Sequence, residues 1–143
     1  MPSAIIVEDE ILAAERLRVL LNDCQVVLLK TFHHAQPALD WLGSHEVDIV
    51  FADIGLPEIN GLELVERIQR VAKRQPHVIF TTAYEEHALR AFELAAADYL
   101  LKPIKVARLQ KALERVQEKD QEQADTFTHF KVFNRDRMVE VPW

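Results

Sequence analysis

One cysteine, Cys24, stands in 143 residues, so no intrachain disulfide can form and the usage fits a reducing compartment. Glycine, at 3, and proline, at 6, are too scarce for a collagen-like or low-complexity chain. No apolar run approaches the roughly 20 residues that span a bilayer, so no membrane contact is expected. A secretory signal is also missing from the N-terminus, where Glu8, Asp9 and Glu10 interrupt the apolar stretch early. Positive charge is short: 17 Lys and Arg face 23 Asp and Glu, leaving a net charge of −6. Such a chain is a poor match for a polyanion, and these residues alone are not expected to hold nucleic acid. Against these absences, 49% of the residues are apolar and 28% charged, the globular range, and a soluble cytoplasmic protein is expected. The length suits one domain that buries roughly two-thirds of its unfolded surface without a disulfide or structural metal.

Two hydrophobic periods alternate along the chain. Short, nearly continuous apolar runs occur at Ala4–Val7, Val26–Leu29, Asp48–Ala52, Val78–Phe80 and Tyr99–Leu101. Continuous runs predict strands buried on both faces, as in a parallel sheet. Between them lie stretches with helical spacing. Leu12, Leu17, Leu20 and Leu21 line the first, with Glu15, Arg16 and Arg18 outside. Ala35, Ala38, Leu39 and Leu42 line the second, and Leu62, Val65, Ile68 and Ala72 the third. Ala88, Leu89, Ala91, Phe92 and Ala95 line the fourth, and Val106, Leu109, Leu113 and Val116 the last. Repeated β-α alternation to about residue 118 predicts an α/β domain with helices on both sheet faces.

Ligands of such sheets sit beyond the C-terminal strand ends. There the sequence places Glu8, Asp9 and Glu10, then Asp53, then Thr81 and Thr82, then Lys102 followed by Pro103. Carboxylates gathered at one edge repel unless a cation intervenes. Hard oxygen ligands in an open site suit Mg²⁺. A lysine and a hydroxyl beside a metal-bound carboxylate suit phosphoryl oxygens. The residues by themselves therefore predict an Mg²⁺-dependent phosphoryl site centred on Asp53. Each also has a plainer reading. Glu8-Asp9-Glu10 can cap the first helix, Thr82 to Glu85 fits a capping box, and Lys102 can be solvated. It is their coincidence in strand order that favours the site.

The segments IIVEDE, DIVFADIGLPEINGLEL and VIFTTAYEEHALRAFELAAADYLLKPI resemble the receiver domain of two-component response regulators, over roughly residues 3–120. The resemblance implies a flavodoxin-like, doubly wound, five-stranded parallel sheet of order 2-1-3-4-5, an order found in this family. It implies that Asp53 is the phospho-acceptor. Glu8, Asp9, Asp53 and the backbone carbonyl of Gly55 would hold Mg²⁺. Thr82 and Lys102 would contact the phosphoryl group, Thr82 and Tyr99 would form the switch, and the Lys102–Pro103 bond would be cis. Gly61 would close the turn after the third strand with a positive φ. Two positions depart from the family: Glu8-Asp9 replaces the commoner Asp-Asp, and Ala95 stands where a glycine is usual.

The partner implied is a sensor histidine kinase, whose phosphohistidine Asp53 would attack, in a regulatory domain that is not an enzyme but assists its own phosphorylation and dephosphorylation. Phosphorylation would favour a homodimer through the fourth helix, fifth strand and fifth helix. The stretch TTAYEEHALRAFE is similar to the LytTR class, and the final FKVFNRDRMVEVPW resembles the opening of a LytTR-type DNA-binding domain. The expected organisation is a receiver over 1–120, a linker over 121–128, and an incomplete output domain over 129–143 with a short β tail. Residues 119–143 are net acidic, so DNA binding is expected only of a longer parent protein.

Other classes fit less well. A haloacid-dehalogenase-type phosphatase needs a second Asp two positions after the first, where Gly55 stands. Flavin phosphate would be repelled by Glu8-Asp9-Glu10, and the first loop lacks the glycines of a dinucleotide site. A metal-independent interaction module of the same fold stays open, although it would typically have lost an acidic residue or the lysine and this chain has lost neither. His33-His34 read as surface histidines, Cys24 as a small buried hydrophobe, and Trp41 as packing.

Overall fold

The computed structural model describes residues 1–84 and 96–120. The apolar runs become five strands: β1 (Ser3–Val7), β2 (Val27–Phe32), β3 (Ile49–Asp53), β4 (His77–Thr82) and β5 (Asp98–Leu101). Helices α1 (Ile11–Asp23), α2 (Ala35–Leu42) and α3 (Gly61–Val71) connect the first four strands. A final helix covers residues 106–120. The strands form one sheet of order β2-β1-β3-β4-β5, and every neighbouring pair is parallel.

Alternate residues of the inner strands feed two cores. Ile5, Val7, Val50, Ala52 and Phe80 pack with α2 and α3, through Leu39, Leu42, Leu64 and Ile68. Ala4, Ile6, Ile49, Phe51 and Ile79 pack with α1 and the final helix, through Leu17, Leu21, Leu109 and Val116. Register then aligns the strand ends: Val7 lies beside Phe32 and Ala52, Asp53 beside Thr81, and Thr82 beside Leu101. The polar residues that follow the strands consequently meet along one edge.

Several sequence expectations are corrected. The second strand is not buried on both faces, because it is an outer strand with β1 as its single neighbour. Val27 and Leu29 are 42% and 46% exposed, despite an unbroken apolar run. A register shift between Ala4 and Ile5 passes from Leu28 to Lys30, so Leu29 forms a bulge. Such irregularity discourages further pairing along an open edge. Leu12, Leu62 and Val106 are exposed rather than core. All three lie in the first turn of their helices, which rises past the sheet at the C-terminal ends of the strands. Buried positions follow two or three residues on, at Ala14, Leu64 and Leu109, and Gly61 is buried where α3 opens.

Gly61 does not have a positive φ, since no glycine among the described residues does. It opens α3 instead, and Asn60 supplies the cap, its side chain accepting a hydrogen bond from the Glu63 N–H at 2.8 Å. The left-handed position falls on Gln25, at φ 62°, in the turn after α1. The helix expected around Ala88–Ala95, the linker at 121–128 and the β tail at 129–143 lie outside the described residues.

Candidate functional site

Glu8 leaves β1 directly, and its backbone N–H donates to the Phe32 carbonyl at 2.9 Å, which extends the sheet by one residue. Its carboxylate is buried and meets the Lys102 ammonium at 2.5 Å. The same ammonium lies 3.5 Å from Asp53 Oδ2. Asp53 ends β3, and its Oδ1 accepts the Gly55 N–H at 2.9 Å, which folds the following loop back over the carboxylate. Thr82 ends β4, buried, with its Oγ1 accepting from the Tyr84 N–H at 3.1 Å. The Lys102 N–H donates to the Thr82 carbonyl at 2.7 Å, so the lysine is anchored beside the threonine. The Lys102–Pro103 bond is cis.

Glu8, Asp9 and Asp53 each offer a carboxylate oxygen, all within 4.8 Å of one another. Three hard oxygens around one point, with Glu8 buried and Asp9 facing solvent, fit a divalent cation that keeps part of its water. Among the functional residues expected at strand ends, the structure thus brings Glu8, Asp9, Asp53, Thr82 and Lys102 to one edge. Gly55 lies in the loop that follows Asp53. Tyr99 stands apart, half-buried on β5 against the core under α2 and α3.

Electrostatics at this edge are dominated by burial. Desolvation pushes Glu8 up to about 7, the Lys102 contact opposes it, and the Asp53 carboxylate adds to the rise. Burial alone would lower Lys102, yet Glu8 and Asp53 together raise it, so the lysine stays charged. Both partners of the pair therefore rise. Lys102 offsets the penalty at Glu8 without overcoming it, because its charge is shared with Asp53. A glutamate raised above its ordinary value of 4.5 stabilises the fold fully below that value, and the gain is lost as pH rises through about 7. Glu8→Gln cannot ionise. In EDTA its thermal midpoint is expected to gain on wild type between about pH 5 and about pH 8, while Mg²⁺ affinity falls. A midpoint difference that stays flat across that range would show that Glu8 remains ionised throughout.

The helix-cap reading of Glu8-Asp9-Glu10 is not the one the geometry favours. Glu10 occupies the N-cap of α1 with no side-chain cap bond; the Glu8 carboxylate accepts the Glu10 N–H at 3.3 Å, and its closer contact is the Lys102 ammonium. The capping box expected at Thr82 concerns a helix outside the described residues. Two contributors escaped sequence reading. His33 is half-buried, its Nδ1 2.9 Å from the Glu8 carbonyl oxygen. Glu58 Oε1 accepts the Ala35 N–H at 2.8 Å, tying the loop after β3 to the start of α2. His33 follows a strand, as the other site residues do, and that position is the signal that could have found it. Glu58 bridges residues far apart in sequence, and no spacing signals it. Cys24 is half-buried, packed against the core, and burial raises its thiol. Trp41 packs on the core and stacks on His45 with ring centroids 4.5 Å apart.

Comparison with known proteins agrees with this geometry. Residues 4–114 match the response regulator receiver domain family, and the chain belongs to it. The family is regulatory rather than catalytic. The transcriptional regulatory protein YpdB of Escherichia coli (strain K12) is 38% identical over 125 residues, covering 87% of this chain and 51% of that protein. Protein MrkE of Klebsiella pneumoniae is 39% identical over 113 residues, covering 78% of this chain and 42% of that protein. The chain thus spans about half the length of these relatives. The crystal structure of the MrkE response regulatory domain superposes with a TM-score of 0.72 at 36% identity, covering 84% of this chain and 98% of that one. A CheY-like receiver domain from Methylobacillus flagellatus superposes with a TM-score of 0.73 at 28% identity, covering 81% and 98%. Among the described residues no helix is long and apolar enough to cross a membrane.

Proposed function

We propose that Asp53 accepts a phosphoryl group from the phosphohistidine of a sensor histidine kinase, and that the change regulates transcription through an output domain of a longer protein. The observation that carries this reading is the Lys102 ammonium set between Glu8 and Asp53 at the strand edge, beside Thr82. An Asp53 carboxylate oxygen attacks phosphorus; a P–O bond forms as the P–N bond to histidine breaks, giving an acyl phosphate. Lys102 steers the phosphoryl oxygens and Thr82 meets one of them. Mg²⁺, held by Glu8, Asp9, Asp53 and the Gly55 carbonyl, would supply neutralisation of the carboxylate and phosphoryl charge. The new charge draws Thr82 inward, and Tyr99 fills the space it vacates. The test is intact mass after incubation with acetyl phosphate. One added phosphoryl group is expected with Mg²⁺ and none in EDTA; labelling that survives EDTA would remove the metal from the reading.

Output follows from the relatives' printed role as transcriptional regulatory proteins. We assign residues 129–143 to the start of a LytTR-type DNA-binding domain, joined by the linker at 121–128. Phosphorylation favours two-fold self-association through residues 85–118, two-fold dimers being the commonest closed assembly. Sedimentation with and without beryllofluoride reads this out. A dimer with the phosphoryl mimic alone is expected, and a monomer in both states would discard that interface.

A further inference from the structure

The side chain of Asp98 is fully buried, and three groups converge on it. Arg108 of the final helix donates twice, NH2 to Oδ1 at 2.7 Å and NH1 to Oδ2 at 3.2 Å. Arg115, two helical turns further along, reaches Oδ2 at 3.3 Å. The Tyr99 N–H donates to Oδ1 at 2.8 Å. Arg108 does more than pair with the acid. It also donates to the Tyr99 carbonyl at 2.9 Å, and its guanidinium carbon lies 5.3 Å from the Tyr99 ring centroid. Successive side chains on a strand point to opposite faces, and one residue rarely touches both. It can here because β5 is an outer strand, whose open side lets a long guanidinium pass around the edge. Among the described residues Arg115 meets only the Asp98 carboxylate.

We propose that Arg108 is a positioning residue for Tyr99, holding the ring where it lies here and passing its displacement to the final helix. This rests on the reading of Tyr99 as the switch residue. Asp98 keeps the Tyr99 N–H and Arg115 whatever the ring does, so it serves as a fixed anchor. Ring movement away from Arg108 gives up the cation–π contact, while the ion pair to Asp98 can persist. The ring contact is therefore the part of the cluster sensitive to the switch. A lysine at 108 would retain the charge and lose the planar fork and the stacking.

The test is ¹⁹F NMR of the full chain labelled with 3-fluorotyrosine. The sequence has 2 tyrosines, Tyr84 and Tyr99, and Tyr99→Phe assigns the signals. Beryllofluoride with Mg²⁺ is expected to move the Tyr99 signal of the wild type. In Arg108→Lys the signal should move at roughly 2–5-fold lower beryllofluoride, the factor that one exposed cation–π contact represents. Arg115→Lys should titrate as wild type. A wild-type signal that moves, with Arg108→Lys titrating identically, overturns the proposal and leaves the switch reading standing. An equal shift in Arg115→Lys also overturns it, by assigning the effect to charge around Asp98. A wild-type Tyr99 signal that does not respond removes the switch reading, and the proposal falls with it. Should Arg108→Lys fail to fold, Arg108→Gln gives the same readout, since its amide can still donate to the Tyr99 carbonyl.

Discussion

Asp53→Asn is expected to abolish phosphoryl uptake from acetyl phosphate in the presence of Mg²⁺. An acyl phosphate needs a carboxylate oxygen as nucleophile, and the carboxamide offers only a weakly nucleophilic carbonyl. The replacement is nearly isosteric, so the bond from the Gly55 N–H can persist and the fold is expected to stay intact. Thermal melts of the variant establish that point, and intact mass counts the phosphoryl groups. Lys102→Ala should be less severe, because the nucleophile survives. One preorganised donor contributes about 10²–10³ in rate, so labelling should slow by a factor of that order rather than vanish. Loss of Lys102 also leaves Glu8 buried with no cation facing it, which favours its protonated form further. Equal labelling of Asp53→Asn and wild type would take Asp53 out of the centre of the site.

The largest electrostatic contribution to stability is expected at Asp98. Its side chain has no solvent exposure and is held by Arg108, Arg115 and the Tyr99 N–H. Burial by itself would raise its pKa; the two arginines and the backbone bond more than reverse that, and the net direction is down from the ordinary 3.8. A depressed carboxylate contributes stability that is complete above its unfolded value and is lost as pH falls through the folded one. Asp98→Asn removes the charge and keeps the shape. Breaking a fully buried pair costs 3–5 kcal/mol, but Arg108 and Arg115 are 32% and 48% exposed and can recover hydration. The expected loss at neutral pH is therefore smaller, about 2 kcal/mol. Urea unfolding measures it. The gap between variant and wild type should narrow as pH drops below about 3.8, where Asp98 of the unfolded chain takes up a proton that the folded carboxylate still refuses. A gap that does not change with pH would mean that packing, not charge, holds this corner.

Local pattern carried much of this structure. Unbroken runs such as Ala4–Val7 and Asp48–Ala52 encode strands, because a segment covered on both faces has no use for polar residues. The order of polar residues after those runs encodes the site, because parallel strands deliver all their C-terminal ends to one edge. Neither inference required knowing which strand lies beside which. The choice of Asp53 as centre followed from chemistry, since a carboxylate flanked by acids and a lysine needs a cation and suits a phosphoryl group.

What lay beyond reach depends on neighbours distant in sequence. Val27 and Leu29 look like Ile5 and Val50 in composition, and only the strand order makes β2 an outer strand. Leu12, Leu62 and Val106 satisfy helical periodicity, yet all three are exposed in the first turn of their helices. Periodicity reports which face a residue is on and is silent about where the opposing surface stops. Contacts of His33 with the Glu8 carbonyl, Glu58 with the Ala35 N–H, and Arg108 with Asp98 and Tyr99 join separate elements. The sequence by itself determined the five strands, their parallel pairing and which polar residues gather at the strand ends, since these arise from local burial and chain direction. The tertiary structure alone decided which apolar residues face water, that Lys102 rests on Glu8 more closely than on Asp53, and that one arginine spans the carboxylate of Asp98 and the ring of Tyr99. Those outcomes follow from the distances between elements once packed, and no residue's own neighbours in the chain encode them.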